Sequence, residues 1–206
     1  MRINNPATHI LNSQAKIACL RLLCTHPTEL NGTQLGKIVG LTPATVHKAM
    51  KELFNEQIVT LKGAGNSHLY ELNKENIIVQ EMLIPLFLKE AGLLNGLIDE
   101  IRKIVNRSSL KNQILSLALF GSVHEKRERA TSDVDLFVLI RDKKIKDKVM
   151  EIFIDRKSIK INAMGLTLEP YVKTLEELKK DKKLETVRSI LKSNTLILGE
   201  SPEVFL

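Results

Sequence analysis

Residues 120–140 read FGSVHEKRERATSDVDLFVLI, and this stretch decides how the second half of the chain folds. An apolar run, Ile114 to Leu119, leads into Gly121-Ser122. After a charged spacer, Asp133-Val134-Asp135 opens a second apolar run that continues to Ile140. Side chains alternate along a strand, so Asp133 and Asp135 point to one face. Val134, Leu136, Val138 and Ile140 line one face and Phe137 and Leu139 the other. A strand apolar on both faces belongs in the middle of a sheet. Two carboxylates at its mouth repel each other unless a cation lies between them. Mg2+ (or Mn2+) meets that need, because it takes hard oxygen ligands and completes its shell with water and phosphate. Gly121 lets a ligand approach the backbone, and the amides and hydroxyl at Ser122 can hold phosphate oxygens.

Gly121, Ser122, Ser132, Asp133 and Asp135, at this spacing, resemble the signature of the DNA polymerase β-like nucleotidyltransferase superfamily, in particular its minimal-domain members. The resemblance implies that Asp133 and Asp135 hold catalytic metals and that Gly121 and Ser122 hold the phosphates of an NTP substrate. Small members usually carry Arg-Gly in the spacer, where this chain has Glu125-Lys126. Lys126, Arg127 and Arg129 are the cations expected to stand in. The superfamily also places a third carboxylate on the following strand. Glu169 is the only acid there, and the neighbouring Pro170 marks that strand as a sheet edge.

Composition sets wider bounds. The 206 residues are 43% hydrophobic, enough for a core without disulfides or metal staples. Aromatic content is 4% with no Trp, which argues against stacking platforms for single strands. A net charge of +7 favours polyanionic partners. Residues 1–106 hold 11 basic and 9 acidic residues, and residues 107–206 hold 20 and 15, so most of the excess lies in the second half. Cys19 and Cys24 sit in an apolar helical stretch and read as reduced core residues of a cytoplasmic protein. The most apolar region, Ile77 to Ile104, is too often interrupted by charge to span a membrane.

The first 75 residues read as helix, helix, turn, helix, hairpin. Ser13 to Cys24 is the first helix, ended at His26-Pro27, and Gln34 to Val39 is the second, closed by Gly40. Thr42 as N-cap and Pro43 at the first helical position start a third, which runs to Glu56 and buries Val46, Met50, Leu53 and Phe54. Ile58 to Leu61 and His68 to Leu72 form a hairpin about Gly63 to Asn66. This order resembles a winged helix-turn-helix domain of the bacterial and archaeal regulator type. In that family the third helix enters the major groove of double-stranded DNA and the wing touches its backbone. Thr45, His47, Lys48 and Lys51 would face DNA, with Lys62 on the wing. The competing reading is a solvated face on a domain that binds protein.

Residues 76–107 read as a helical connector of one long or two shorter helices, kinked or divided at Pro85, whose leucine-rich stripe is core or the seam of a homodimer. Residues 108–206 form the nucleotidyltransferase-like domain. Its later elements are a helix over Lys148 to Ile159, a strand over Gly165 to Lys173, a helix capped by Thr174 and Glu177, and a strand over Thr195 to Leu198. The fold class is α+β: a winged helix, connecting helices, and a mixed sheet flanked by helices. Two functions stay open. One is an enzyme that moves a nucleoside monophosphate from an NTP to an acceptor hydroxyl. The other is a DNA-binding regulator or antitoxin-like protein whose second domain senses nucleotide or binds a partner.

Overall fold

A computed structural model describes residues 2–26, 28–64, 67–154 and 159–206. Pro27 and the Gly65-Asn66 tip of the wing lie outside them. The chain divides into two compact units, Met1–Leu93 and Leu94–Leu206. Each has its own core.

In the first unit, α1 (Pro6–Ile10) and α2 (Gln14–Thr25) precede a short strand β1 (Leu30–Asn31). Then come α3 (Gly32–Val39), α4 (Pro43–Asn55), β2 (Val59–Ala64) and β3 (Ser67–Leu72). The three strands form one antiparallel sheet, ordered β1-β3-β2. This is the helix–strand–helix–helix–wing topology of a winged helix. Local chemistry fixes the helix ends. Ser13 Oγ accepts from the Lys16 amide, and Thr42 Oγ1 from the Thr45 amide. Asn31 and Gln34 form a reciprocal capping box. Gly40 closes α3 at φ 70°, a left-handed position that favours glycine.

Four α4 residues, Val46, Ala49, Met50 and Leu53, are buried at helical spacing. Phe54, expected among them, is 43% exposed. It follows Leu53 by one residue, and that step of about 100° turns it off the buried stripe. Cys19 and Cys24 are buried and unpaired, and burial pushes both thiols up to about 11. One core position is charged. Lys16 is buried, and its Nζ donates to the His9 carbonyl at 2.8 Å and pairs with Glu52 at 2.6 Å. A buried ammonium requires such partners.

A π-helical turn, Val79–Leu83, leads directly into α5 (Ile84–Arg107). Pro85, expected to kink or divide this helix, sits just after the wide turn, which makes room for a ring that would clash with an α-helical carbonyl. The helix then continues through Gly92 and Gly96. Val79, Leu83 and Phe87 belong to the first core, and Leu97, Ile101 and Val105 to the second.

The second unit is built on a four-stranded mixed sheet: β4 (Ile114–Leu119), β5 (Val134–Ile140), β6 (Leu168–Thr174) and β7 (Thr195–Gly199), ordered β6-β5-β4-β7. Strands β4 and β5 are antiparallel, and β5 and β6 are parallel. As the alternation requires, Val134, Leu136, Val138 and Ile140 enter one core, and Phe137 and Leu139 another. The first is completed by α5 and by α7 (Lys146–Ile154), through Val149 and Phe153. The helix expected over Lys148 to Ile159 thus begins earlier, and its residues 155–158 lie outside the described chain; α8 (Ile159–Ala163) follows. The second core is covered by α9 (Leu175–Lys180) and α10 (Glu185–Lys192), through Leu178, Val187 and Ile190. Thr174 and Glu177 form the expected capping box on α9.

Candidate nucleotidyl-transfer site

β4 ends at Leu119, and Gly121–His124 form a single helical turn, α6, against β5. Gly121 adopts φ 72°, open to glycine and strained for other residues. Its other constraint is contact. A β-carbon there would come within 2.0 Å of Asp135 Oδ2. The backbone of the Gly-Ser turn therefore lies directly on the Asp135 carboxylate, which accepts a hydrogen bond from the Ser122 amide.

The turn closes with two further bonds: the Arg127 amide donates to the Ser122 carbonyl at 2.9 Å, and the Lys126 amide to the Val123 carbonyl at 3.3 Å. This pair is a Schellman closure with Lys126 at the left-handed position, φ 56°. The left-handed position of this turn is thus held by lysine.

Asp133 is exposed just ahead of β5, and Asp135 is half-buried at its second residue. Across the parallel pair, Asp135 is the register partner of Glu169. Neighbouring strands run about 4.8 Å apart, so these two residues stand side by side. β6 is an edge strand, in keeping with Pro170. Burial first, then the charges of Glu169 and Asp133, raise the Asp135 carboxyl above its ordinary value, against the pull of the Ser122 amide. Among the described residues no group of three or more His, Cys, Asp or Glu side chains gathers as a ready metal cage. A magnesium ion does not require one, since one or two carboxylates plus substrate phosphates suffice. The mutual repulsion at Asp135, and a backbone cradle that a side chain would fill, fit a divalent cation with its phosphates.

The remaining expected residues divide into two groups. Ser132 Oγ accepts from the Arg129 amide at 2.9 Å, so it shapes the turn that delivers Asp133. Arg127 is engaged by Glu125. Lys126 and Arg129 are exposed. His124, unremarked in the sequence, joins this turn to the start of β7, the strand beside β4. Its Nδ1 lies 2.9 Å from Thr195 Oγ1 and its Nε2 2.9 Å from Ser193 Oγ. A lone His two residues after Ser122 was the only signal.

In the first unit Thr45, His47, Lys48 and Lys51 are all exposed on α4. Thr45 shares its hydroxyl with Thr42 at 2.8 Å, and His47 Nδ1 lies 3.4 Å from the Tyr70 hydroxyl. Lys62 is differently placed. Its Nζ lies 2.6 Å from Glu29 and 3.0 Å from Glu71, two carboxylates that raise its pKa.

Comparison with known proteins gives three findings. The family model described as Polymerase beta, Nucleotidyltransferase matches residues 100–203, just over half of the chain. No curated protein matches. Among solved structures, the Adhesin competence repressor of Streptococcus pyogenes is 17% identical, covers 48% of this chain and 69% of its own, and has a TM-score of 0.33. MepR, a transcription regulator of the Staphylococcus aureus multidrug efflux pump MepA, is 16% identical over 48% of this chain and 69% of its own, with TM-score 0.33. A toxin–antitoxin crystallised with AMP-PNP is 17% identical over 52% and 79%, with TM-score 0.33. The winged-helix assignment rests on the topology described above.

Proposed function

The chain belongs to the polymerase beta nucleotidyltransferase family, and we propose that it is an active member, moving a nucleoside monophosphate from an NTP to an acceptor hydroxyl. The observation that carries this reading is the contact of the Gly121-Ser122 backbone with Asp135, whose register partner is Glu169. Asp133 and Asp135 would hold Mg2+ (or Mn2+), which when bound neutralises developing charge on the phosphates. The Ser122 hydroxyl and the amides of its turn orient the β- and γ-phosphates. Lys126 and Arg129, exposed in the spacer between Ser122 and Asp133, would add positive charge for the phosphates. Glu169 accepts the proton of the acceptor hydroxyl as its oxygen bonds to the α-phosphorus. The bond to the β-phosphate breaks, and pyrophosphate leaves.

The test is incubation of the chain with radiolabelled NTPs and magnesium, with and without cell extract. Label should pass to an acceptor with the wild type. It should not pass with Asp133→Asn, Asp135→Asn or Glu169→Gln. The Glu169 variant should retain NTP binding, because the phosphate and metal groups remain. Label transfer that survives all three substitutions would overturn the assignment.

The exposed face of α4 favours a second function alongside the first: binding of duplex DNA through Thr45, His47, Lys48 and Lys51. Such binding is expected to be weak and salt-dependent, and a gel shift at low salt tests it.

A further inference from the structure

α9 and α10 cover one face of the catalytic sheet, and their outward side is strongly basic. Lys179, Lys180, Lys182 and Lys183 stand within five residues, and Arg188 and Lys192 follow on α10. All six are exposed, and none pairs with a described carboxylate. The segment also holds four acids, Glu176, Glu177, Asp181 and Glu185. Two of these face inward: Glu177 pairs with Lys146 at 3.1 Å, and Asp181 with Lys173 at 2.6 Å. The sorting leaves six outward cations against two outward carboxylates.

This ridge leads to the site. Val187 and Ile190 are buried, so Arg188 and Lys192 project from the opposite side of α10, one turn or about 6 Å apart. The residue after Lys192 is Ser193, whose hydroxyl lies 2.9 Å from His124 on the Gly-Ser turn. The basic track therefore ends beside Gly121 and Ser122. Phe120, which opens that turn, packs against the same α10 core.

We propose that the ridge from Lys179 to Lys192 binds the phosphodiester backbone of a nucleic acid and leads its 3′-hydroxyl end to the Asp133–Asp135 site. Backbone binding stands on the charge pattern alone; delivery of the hydroxyl rests on the nucleotidyl-transfer reading above. Recognition runs through phosphates, because the ridge carries no aromatic side chain to stack a base.

The experiment measures fluorescence anisotropy of the full chain with 5′-labelled RNA and DNA hairpins that end in a free single-stranded 3′ tail. Wild-type affinity should fall steeply with salt. The variant combining Lys179→Gln, Lys180→Gln, Lys182→Gln and Lys183→Gln should bind on the order of 100-fold more weakly at low salt, with the slope of log K on log salt reduced by roughly three. Equal binding of both hairpins supports backbone recognition, and tighter RNA binding supports it with a contact to the 2′-hydroxyl. An affinity unchanged in this variant overturns the proposal. So does an affinity lost in the Lys48→Ala, Lys51→Ala double variant but kept in the ridge variant, since the nucleic acid would then sit on α4. All substituted side chains are exposed, so folding is spared. A second arm supplies magnesium and radiolabelled NTP. Label should join the hairpin end and fail to join a 3′-deoxy end. A hairpin that binds but is never extended, by a chain that still binds magnesium-NTP, overturns the delivery step alone. Loss of magnesium-NTP binding itself would instead overturn the nucleotidyl-transfer reading.

Discussion

Gly121 and Asp135 occupy adjoining space with no room for a methyl group between them: a β-carbon on the first would stand 2.0 Å from a carboxylate oxygen of the second. Gly121→Ala must therefore move the Asp135 side chain or open the turn. The left-handed backbone alone costs a non-glycine residue roughly 1–2 kcal/mol. The expected outcome is a lower melting temperature together with weaker magnesium-ATP binding, read by calorimetry.

The charge on Asp135 opposes folding. Its folded pKa is raised, so the folded state holds the proton more tightly than the unfolded state does. Ionisation above that raised value then costs stability, and the cost fades as pH falls through it. Asp135→Asn should melt higher than wild type at neutral pH, with the gap closing as the solution is acidified. Magnesium with ATP should stabilise the wild type and leave the variant unchanged. Thermal melts across pH, with and without ligand, check both.

Lys126 pays a backbone penalty at its φ of 56°. Lys126→Gly should stabilise the protein by about 1 kcal/mol in urea denaturation, since glycine takes that conformation freely. The same variant separates turn from charge. If the ammonium contacts phosphate, NTP affinity should fall while stability rises.

The two lysine positions on α4 and the one on the wing should behave differently toward duplex DNA. Lys48→Ala and Lys51→Ala should each lower the salt slope of binding by about 1. Lys62→Ala should change it little, because Glu29 and Glu71 already neutralise that ammonium. Equal losses at all three positions in a gel shift would show that DNA displaces the carboxylates.

Much of this arrangement is legible in the sequence because its signals are local. Thr42-Pro43, Thr174 with Glu177, and the two-faced apolar run Val134 to Ile140 act within a few residues, and each element stands where it is expected. What the sequence withholds is long-range. Nothing local sets Asp135 opposite Glu169, because register depends on which strands pair. Lys16 is buried through partners the local pattern does not announce: the His9 carbonyl seven positions back, and Glu52 on α4. The short strand β1 exists only through its partner β3. Lys62 reads as a free cation for the same reason, since Glu29 lies 33 positions away in the chain.

The edge position of β6 has one more consequence. An uncovered edge strand offers its backbone to any passing extended segment, and such annexation leads to aggregates. Here Glu169 and Pro170 stand together on that edge. The proline removes one donor from the ladder, and the neighbouring carboxylate resists being desolvated beneath another strand. The two residues thus guard this sheet against intruding strands.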